Sequence, residues 1–584
     1  MSSTYDKYPY VPVTADVRAC ASGWQTIAQR LLVRFQSAHG VLCVECYPGV
    51  LVREIEQAIG QYFPSRAIIR TTDCFKPPNE IEGMIARDLT DDPVFGRISA
   101  LQIQDFFDPE LLANARSKAS RSRNGMIIVL GAGATLIARN PDLLVYADLA
   151  RWEIQQRQRG GRIGNLGAAN ESDSARAKYK RGFFLDWRVA DRLKQSVWSR
   201  IDFLLDTNVP DEPKMISGDD LRKGLASAVR RPFRLVPFFD AGPWGGQWMR
   251  RVCDLPKEPP NYAWCFDCVL EENSLLLGFG DLRVEIPAID LVFAHPHELL
   301  GEAVQARFGR EFPIRFDFLD TMEGGNLSLQ VHPLTEYIQE QFGMRYTQDE
   351  SYYLLDAGSD ATGGACVYLG LKSHIDAKAM SNDLRRAHEG GASFTVEKYV
   401  NRWPAKKHDH FLIPAGTIHC SGKNSMVLEI SATPYIFTFK LWDWGRLDLD
   451  GNPRPIHLEH GLANIQWDRT DAFVRRELIN QFQPRGEGDC WREERTGLHA
   501  REFIETRRHW FTGKTPHDTN GGVNVLNLVE GEAAIVESPD RAFDPLVVHY
   551  AETFIVPAAV GPYTIRPACS NTSEHATIKA FVRT

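Results

Sequence analysis

Gln330 and His332 lie two residues apart in Leu327-Ser-Leu-Gln-Val-His-Pro333, a run that alternates apolar and polar residues. Alternation of this kind predicts a β-strand, on which residues i and i+2 project from one face. An amide oxygen and an imidazole nitrogen then point the same way, with Ser328 in line behind them. Pro333 ends the strand just after the histidine. Glu350 and His419 supply a carboxylate and a second imidazole. One amide oxygen, two imidazoles and one carboxylate suit Zn²⁺ with a position left open for substrate or water.

The elements that must bring these four together are also readable. Glu350 opens the strand-like run Glu350-Ser-Tyr-Tyr-Leu-Leu-Asp-Ala357. His419 follows the turn Ile413-Pro-Ala-Gly-Thr417 and precedes the strand Ser425-Met-Val-Leu-Glu-Ile430. From residue 231 onward the strands are short and separated by Gly, Pro and Asn turns, as in a double-sheet β-barrel. A helical insert is predicted at about 376–396, where Ala377-Lys-Ala-Met and Leu384-Arg-Arg-Ala-His have helical spacing.

In this order, Leu327–Pro333, Glu350 before Tyr352-Tyr-Leu-Leu-Asp-Ala357, Ile413-Pro-Ala-Gly-Thr-Ile-His419 and Val427-Leu-Glu-Ile430 resemble class I mannose-6-phosphate isomerases, zinc-dependent cupin enzymes. Trp244-Gly-Gly246 resembles the start of that domain. The resemblance covers residues 237–470 and continues more weakly to the C-terminus. It implies an intramolecular oxidoreductase that interconverts mannose 6-phosphate and fructose 6-phosphate through an enediol. One Zn²⁺ per chain would be held by Gln330, His332, Glu350 and His419. Glu429 takes the place of a proposed catalytic carboxylate, although an ion-pairing or hydrogen-bonding role is an equal alternative. Lys440 stands where related enzymes carry an arginine near the substrate, as a catalytic and substrate-binding cation. Ser328 and Arg446 are further substrate-side candidates, Arg446 with a structural or rim role open to it.

Two family lysines are replaced, by Asp317 and by Gln348. The exchange removes about three units of positive charge from a pocket meant for a dianionic sugar phosphate. Arg315 and Lys440 could compensate. An isomerase of another sugar or sugar phosphate, and a non-catalytic sugar-phosphate-binding protein, are therefore alternatives. His295/His297 and His408/His410 look like metal tags but fall outside the matched positions and read as exposed loops.

Residues 12–230 alternate strands and helices: strands at 40–45, 67–73, 125–130 and 142–148, helices at 50–59 and 151–159. This predicts an α/β domain with a mostly parallel sheet over 1–230. The layout resembles small-molecule P-loop kinases of the uridine kinase kind. The loop after the first strand reads Glu45-Cys-Tyr-Pro-Gly-Val-Leu-Val52, with one glycine, no lysine and no Ser/Thr for magnesium. A phosphate cradle needs those groups, so the expectation is a degenerate kinase-like domain. The basic segments Arg157–Arg162 and Lys178–Arg181 could hold a phosphate or form a solvated surface, the latter favoured. Asn165–Ser174 reads as a mobile loop.

The expected organisation is thus the kinase-like domain at 1–230, the isomerase cupin (double-stranded β-helix, or jelly roll) at 231–495, and a second cupin-like β domain at 496–584. In the last, Val560-Gly-Pro-Tyr563 has no histidine after its turn, which marks it as a scaffold. The 584 residues carry a net charge of −8, which disfavours non-specific nucleic-acid binding. The first ten residues hold no apolar signal core, and the apolar stretch 126–138 is too short to span a bilayer. Eleven cysteines, an odd number, fit reduced thiols in a cytoplasm. Cys43/Cys46 and Cys265/Cys268 read as core residues rather than a zinc site. The expected partners are a phosphorylated sugar and, as an open option, further copies of the chain.

Overall fold

The structure, a computed structural model, describes residues 3–584 apart from 17, 36–39, 64–65, 121–124, 362, 391, 436, 449–450, 452–453, 498, 500 and 570–572, and the backbone alone at 360. The chain forms two compact units. One comprises Tyr10–Ser227 with Ser274–Ala294; the other comprises Ala228–Asn273 and His295–Thr584, with the N-terminal residues up to Pro9. Among the described residues no helix is long and apolar enough to cross a membrane.

The first unit is built on a seven-stranded sheet ordered Ala21–Ser22, Lys214–Ser217, Phe203–Asp206, Leu143–Asp148, Gly40–Cys46, Met126–Gly131, Arg66–Arg70. The five strands from Phe203–Asp206 to Arg66–Arg70 are parallel; Lys214–Ser217 runs antiparallel to them, and Ala21–Ser22 antiparallel to Lys214–Ser217. Burial on both faces explains why the central strands read as continuous apolar runs. The helices Val52–Tyr62 and Arg151–Arg159 fall where the spacing placed them. The strand expected over 67–73 stops at Arg70, and Thr71–Cys74 turns as a 3₁₀ helix.

The loops at the carboxyl ends of these strands are filled from within. Tyr47 donates to Asp191 at 2.7 Å, and the Gly49 carbonyl accepts from Arg157 at 3.0 Å. The Glu45 carboxylate accepts from the backbone N–H groups of Gly133 (2.6 Å) and Thr135 (2.8 Å) and from the Thr135 hydroxyl (2.8 Å). A glycine-bearing loop of the kind that cradles anions therefore already holds one. Burial raises that carboxylate to about 7 against the pull of these donors.

Two expectations need correction here. The basic segments are only in part a solvated surface: Arg159 and Arg162 are exposed, but Arg157, Lys178 and Arg181 are buried, and each of these reaches backbone carbonyls, Thr207 and Asn208 for Arg157, Glu171 for Lys178 and Leu166 for Arg181. Nor is Asn165–Ser174 a free loop, because the Asn165 amide donates to the Lys178 carbonyl and to Asp186. The linear boundary at 230/231 also differs from the observed division. Ser274–Phe279 and Leu282–Pro287 form a hairpin, joined in parallel by Tyr10–Pro12, and belong to the first unit. Asp206 accepts from the Glu285 N–H at 2.9 Å, and Asp290 pairs with the buried Lys194, so polar anchors fix this insertion there.

The second unit contains two β-barrels. The first has a six-stranded sheet ordered His410–Ile413, Asp349–Ala357, Ser425–Ala432, Ile314–Asp320, Trp264–Cys268, Phe238–Asp240. It also has a five-stranded sheet ordered Val400–Pro404, Cys366–Leu371, His419–Ser421, Leu329–Val331, Phe439–Trp442. The insert is the helix Ala377–His388, capped by Asp376, whose carboxylate accepts from the N–H groups of Lys378 and Ala379. The second barrel spans Gln483–Val582 in sheets of six and four strands, with an apolar core that includes Phe511, Leu526, Leu528, Phe554 and Ile565. Cys43, Cys46, Cys265 and Cys268 are free and buried in strands, as core residues are.

Candidate metal centre

Strand register brings the four expected ligands together from both sheets of the first barrel. Gln330 pairs directly with His419 in the five-stranded sheet, and His332 follows at the end of Leu329–Val331. Glu350 comes from the facing six-stranded sheet. One ligand atom each from His332, Glu350 and His419 lies within 4.8 Å of the others, and no other group of this kind occurs among the described residues. His419 Nε2 stands 2.8 Å from one Glu350 oxygen and His332 Nε2 3.1 Å from the other. The Gln330 amide nitrogen lies 3.2 Å from His419 Nε2. A half-turn of that amide puts its oxygen in the same place.

Each histidine is oriented by a backbone carbonyl. His332 Nδ1 meets Phe437 O at 2.8 Å, and His419 Nδ1 meets Thr417 O at 2.9 Å. Protons on Nδ1 leave both Nε2 lone pairs aimed at Glu350, the tautomer a metal ligand requires. Despite the short distances, His332 Nε2 and Glu350 Oε1 make no hydrogen bond, though both are buried. Lone pairs converging on one buried point fit a divalent cation between them. Burial alone would lift Glu350, but His332 and then His419 outweigh it and hold the carboxylate well below its ordinary range. Glu350 in turn raises His332 against its burial.

The inward face of the six-stranded sheet carries a row of acids. Asp317 and Tyr352 are the cross-strand neighbours of Glu429, and Arg315 and Glu350 those of Ser431. Glu429 sits well above the usual carboxylate range, first through burial and then through the Asp317 and Glu350 charges. Burial also takes Asp317 to about 7, with Arg315 opposing and Glu350 adding to the rise. Gln348 joins the two key acids: its amide nitrogen donates to Glu350 at 2.9 Å and reaches Glu429 at 3.1 Å, while its oxygen accepts from the Phe437 N–H at 2.8 Å. A neutral bridge occupies the place of the missing lysine.

Lys440 is the other cross-strand neighbour of Gln330 and so faces the barrel interior beside the ligands. Ser328 is buried, and its hydroxyl lies 3.5 Å from Arg454, which pairs with Asp443 at 2.6 Å. Arg446 spends its guanidinium on the Asn326 carbonyl at 2.6 Å and on Asp443, which ties down the chain leading into the ligand strand. Arg315 is buried and makes no hydrogen bond or ion pair among the described residues.

Sequence reading passed over Arg454, the bridging role of Gln348 and the Tyr352 hydroxyl, which is buried without a partner. Only for Tyr352, quoted within a ligand motif, was there a signal at hand. Nor are His408 and His410 exposed loop residues. His408 lies 2.9 Å from both Glu530 and the Tyr353 hydroxyl, and His410 is fully buried on a strand.

A two-sheet β-barrel whose interior gathers Gln, His, Glu and His ligands is the cupin type of metal site. Residues 23–230 match a family described as "Domain of unknown function (DUF8485)". A mannose-6-phosphate isomerase of Streptococcus mutans is 27% identical over 221 residues, 38% of this chain and 63% of that protein. A putative mannose-6-phosphate isomerase of Bacillus subtilis is 23% identical over 354 residues, 59% of this chain and 99% of that protein. The crystal structure of the mannose 6-phosphate isomerase from Bacillus subtilis covers 60% of this chain and 99% of its own, at 18% identity and a TM-score of 0.49. The match thus spans less than two thirds of the Streptococcus enzyme, while the Bacillus relative is covered almost throughout.

Proposed function

We propose that the chain is a zinc-dependent aldose–ketose isomerase acting on mannose 6-phosphate and fructose 6-phosphate. The observation that carries this is the convergence of His332, Glu350 and His419, with Gln330 beside them, on one buried point from two sheets. The donor set fits Zn²⁺, which when bound would polarise the two substrate oxygens and offset oxyanion charge. The chain's own residues supply the rest. Glu429, on the same face as the ligands, moves a proton between C1 and C2 of the sugar. A carboxyl held above its ordinary range can both accept and return that proton. Gln348 keeps the Glu429 and Glu350 carboxyls in register. Lys440, beside Gln330, contributes positive charge at the sugar oxygens. Arg315, with its donors unspent, is the cation available to the phosphate.

A second reading has a specific observation behind it. Asp317, Glu350 and Glu429 put three carboxyls on the inward face of one sheet, with Gln348 neutral. Such a pocket suits a sugar with less negative charge than a phosphate dianion. The 1–230 region is read as a degenerate kinase-like domain: its parallel sheet supports this, and in the loop after Gly40–Cys46 the Gly49 carbonyl is taken by Arg157.

Coupled detection of fructose 6-phosphate formed from mannose 6-phosphate, before and after chelation, tests the first reading. Zinc-restored turnover abolished by His332→Ala is the expected outcome. Zinc-loaded protein without turnover on mannose 6-phosphate, but with turnover elsewhere in a panel of sugars, would transfer the site to the second reading.

A further inference from the structure

The second barrel was expected to be an inert scaffold, yet one end of its interior is polar. Register places Arg507 opposite Lys579, and Lys579 opposite Leu526 on its other side. Leu526 belongs to the apolar core, so Lys579 and Arg507 face inward. Asn524, two residues before Leu526, shares that face, and its side-chain oxygen accepts from the Tyr563 hydroxyl at 3.0 Å. Arg507, Asn524 and Lys579 line a recess of about 250 Å³ that opens at this end of the barrel.

The charges in the recess do not close on themselves. Lys579 is 6% exposed, and its ammonium makes no hydrogen bond among the described residues. Its nearest acid is Glu493, at 3.9 Å, and that carboxylate is already engaged by His509 at 2.7 Å and Arg507 at 3.3 Å. Glu505 is held by Arg507 at 2.6 Å, and Asp518 accepts from the Asn520 N–H at 2.6 Å. Burial, eased by Glu493 and deepened by Arg507, brings Lys579 down to about 8, as befits an under-compensated cation. On the next rung inward His509 and His517 stand with ring centres 4.4 Å apart. His517 is 7% exposed, and neither of its ring nitrogens has a partner. Burial keeps both rings neutral, His509 at about 4; His509 spends its one N–H on Glu493, whereas His517 still carries an N–H to donate. A buried lysine whose nearest acid stands 3.9 Å away and an imidazole without partners lack one thing, an acceptor of negative charge.

We propose that this recess is a binding site for a small oxyanion, the phosphate or carboxylate group of a compact metabolite, separate from the metal centre of the first barrel. At about 250 Å³ the volume admits such a group together with the rest of a compact metabolite. Lys579 supplies the charge, and Arg507 and the Asn524 amide flank it.

The test is isothermal titration of the zinc-loaded full chain with inorganic phosphate and, separately, with acetate. It is repeated on Lys579→Met and on Asn524→Asp, which keeps the acceptor for Tyr563 while placing a like charge in the recess. Folding of each variant is checked by circular dichroism and zinc content. Saturable binding of either anion, weakened at least roughly tenfold in both variants, is the expected result. Response to phosphate alone assigns the site to phosphorylated ligands, and response to acetate alone to carboxylates. Should Lys579→Met fail to fold, Asn524→Asp decides by itself. Absence of binding by the parent chain, or binding that Asn524→Asp leaves unchanged, overturns the proposal.

Discussion

The two barrels of the second unit share a two-sheet construction and differ in how their interiors balance charge. In the first, His332 and His419 face Glu350 across the gap between sheets, and Gln348 links that carboxylate to Glu429. Acids outnumber cations there, and the imbalance is what a divalent metal relieves. In the second, the apolar core from Phe511 to Ile565 fills most of the interior, and the polar end is short of acceptors at Lys579. One scaffold thus supports opposite electrostatic demands, because only inward-facing positions, every second residue on each strand, decide the content.

Removing a ligand breaks the comparison hardest. In His419→Ala only the His332 lone pair still faces Glu350, and metal affinity should fall by roughly a hundredfold or more. Metal analysis after dialysis should find the variant near zinc-free and isomerase turnover lost, while anion binding at Lys579 persists. Loss of both would mean that the barrels do not act separately. Next in size is Phe554→Ala, which hollows the apolar core of the second barrel and should cost about 3–5 kcal/mol in urea unfolding. The same variant should bind zinc as the parent does; a weakened metal site would tie the first barrel's geometry to the second's packing. A smaller, more local effect is expected of Arg315→Gln. If this buried guanidinium meets the substrate phosphate, KM should rise roughly 10–100-fold with kcat nearly unchanged, the loss of one charge-assisted contact. An unchanged KM would remove Arg315 from the substrate side.

These differences were unequally legible in the sequence. The alternation in Leu327–Pro333, the turn before His419 and the run after Glu350 fixed the strands and the side each ligand faces, because period-two patterning is local. The insert helix announced itself through Asp376 and the spacing that follows it. Gln348 could be recognised only as a substituted lysine. That it bridges two acids depends on a register between strands 80 residues apart, which no local pattern carries. A basic run reads the same whether water or carbonyls accept its protons, so the burial of Arg157, Lys178 and Arg181 stayed hidden. The hairpin 274–287 has the texture of the β-rich half around it, and only its polar anchors, Glu285 and Asp290, assign it to the other unit. Lys579 is a single lysine in a strand, and its significance lies in what fails to surround it.

The last effect sharpens the contrast most, because it asks whether the first barrel's acid excess is stored as protons. Asp317 stands where related enzymes carry a lysine; it is buried, its Oδ1 has no hydrogen bond, and its carboxyl is pushed up to about 7, by burial above all. Its unfolded value is the ordinary 3.8. Below about pH 4 both states hold the proton, and Asp317 costs nothing. As pH rises the unfolded chain ionises first, so the folded state falls behind until pH passes 7, above which the cost is constant. Asp317→Asn removes this penalty while keeping the shape. In chelated protein it should therefore stabilise by about 4 kcal/mol at pH 8, roughly three pKa units at about 1.4 kcal/mol each, and by less than about 1 kcal/mol at pH 4. Urea midpoints at the two pH values read the difference directly. A loss of stability at pH 8 would mean that Asp317 is ionised and paired with Arg315, and the acid row would then be a salt bridge rather than a reservoir of protons.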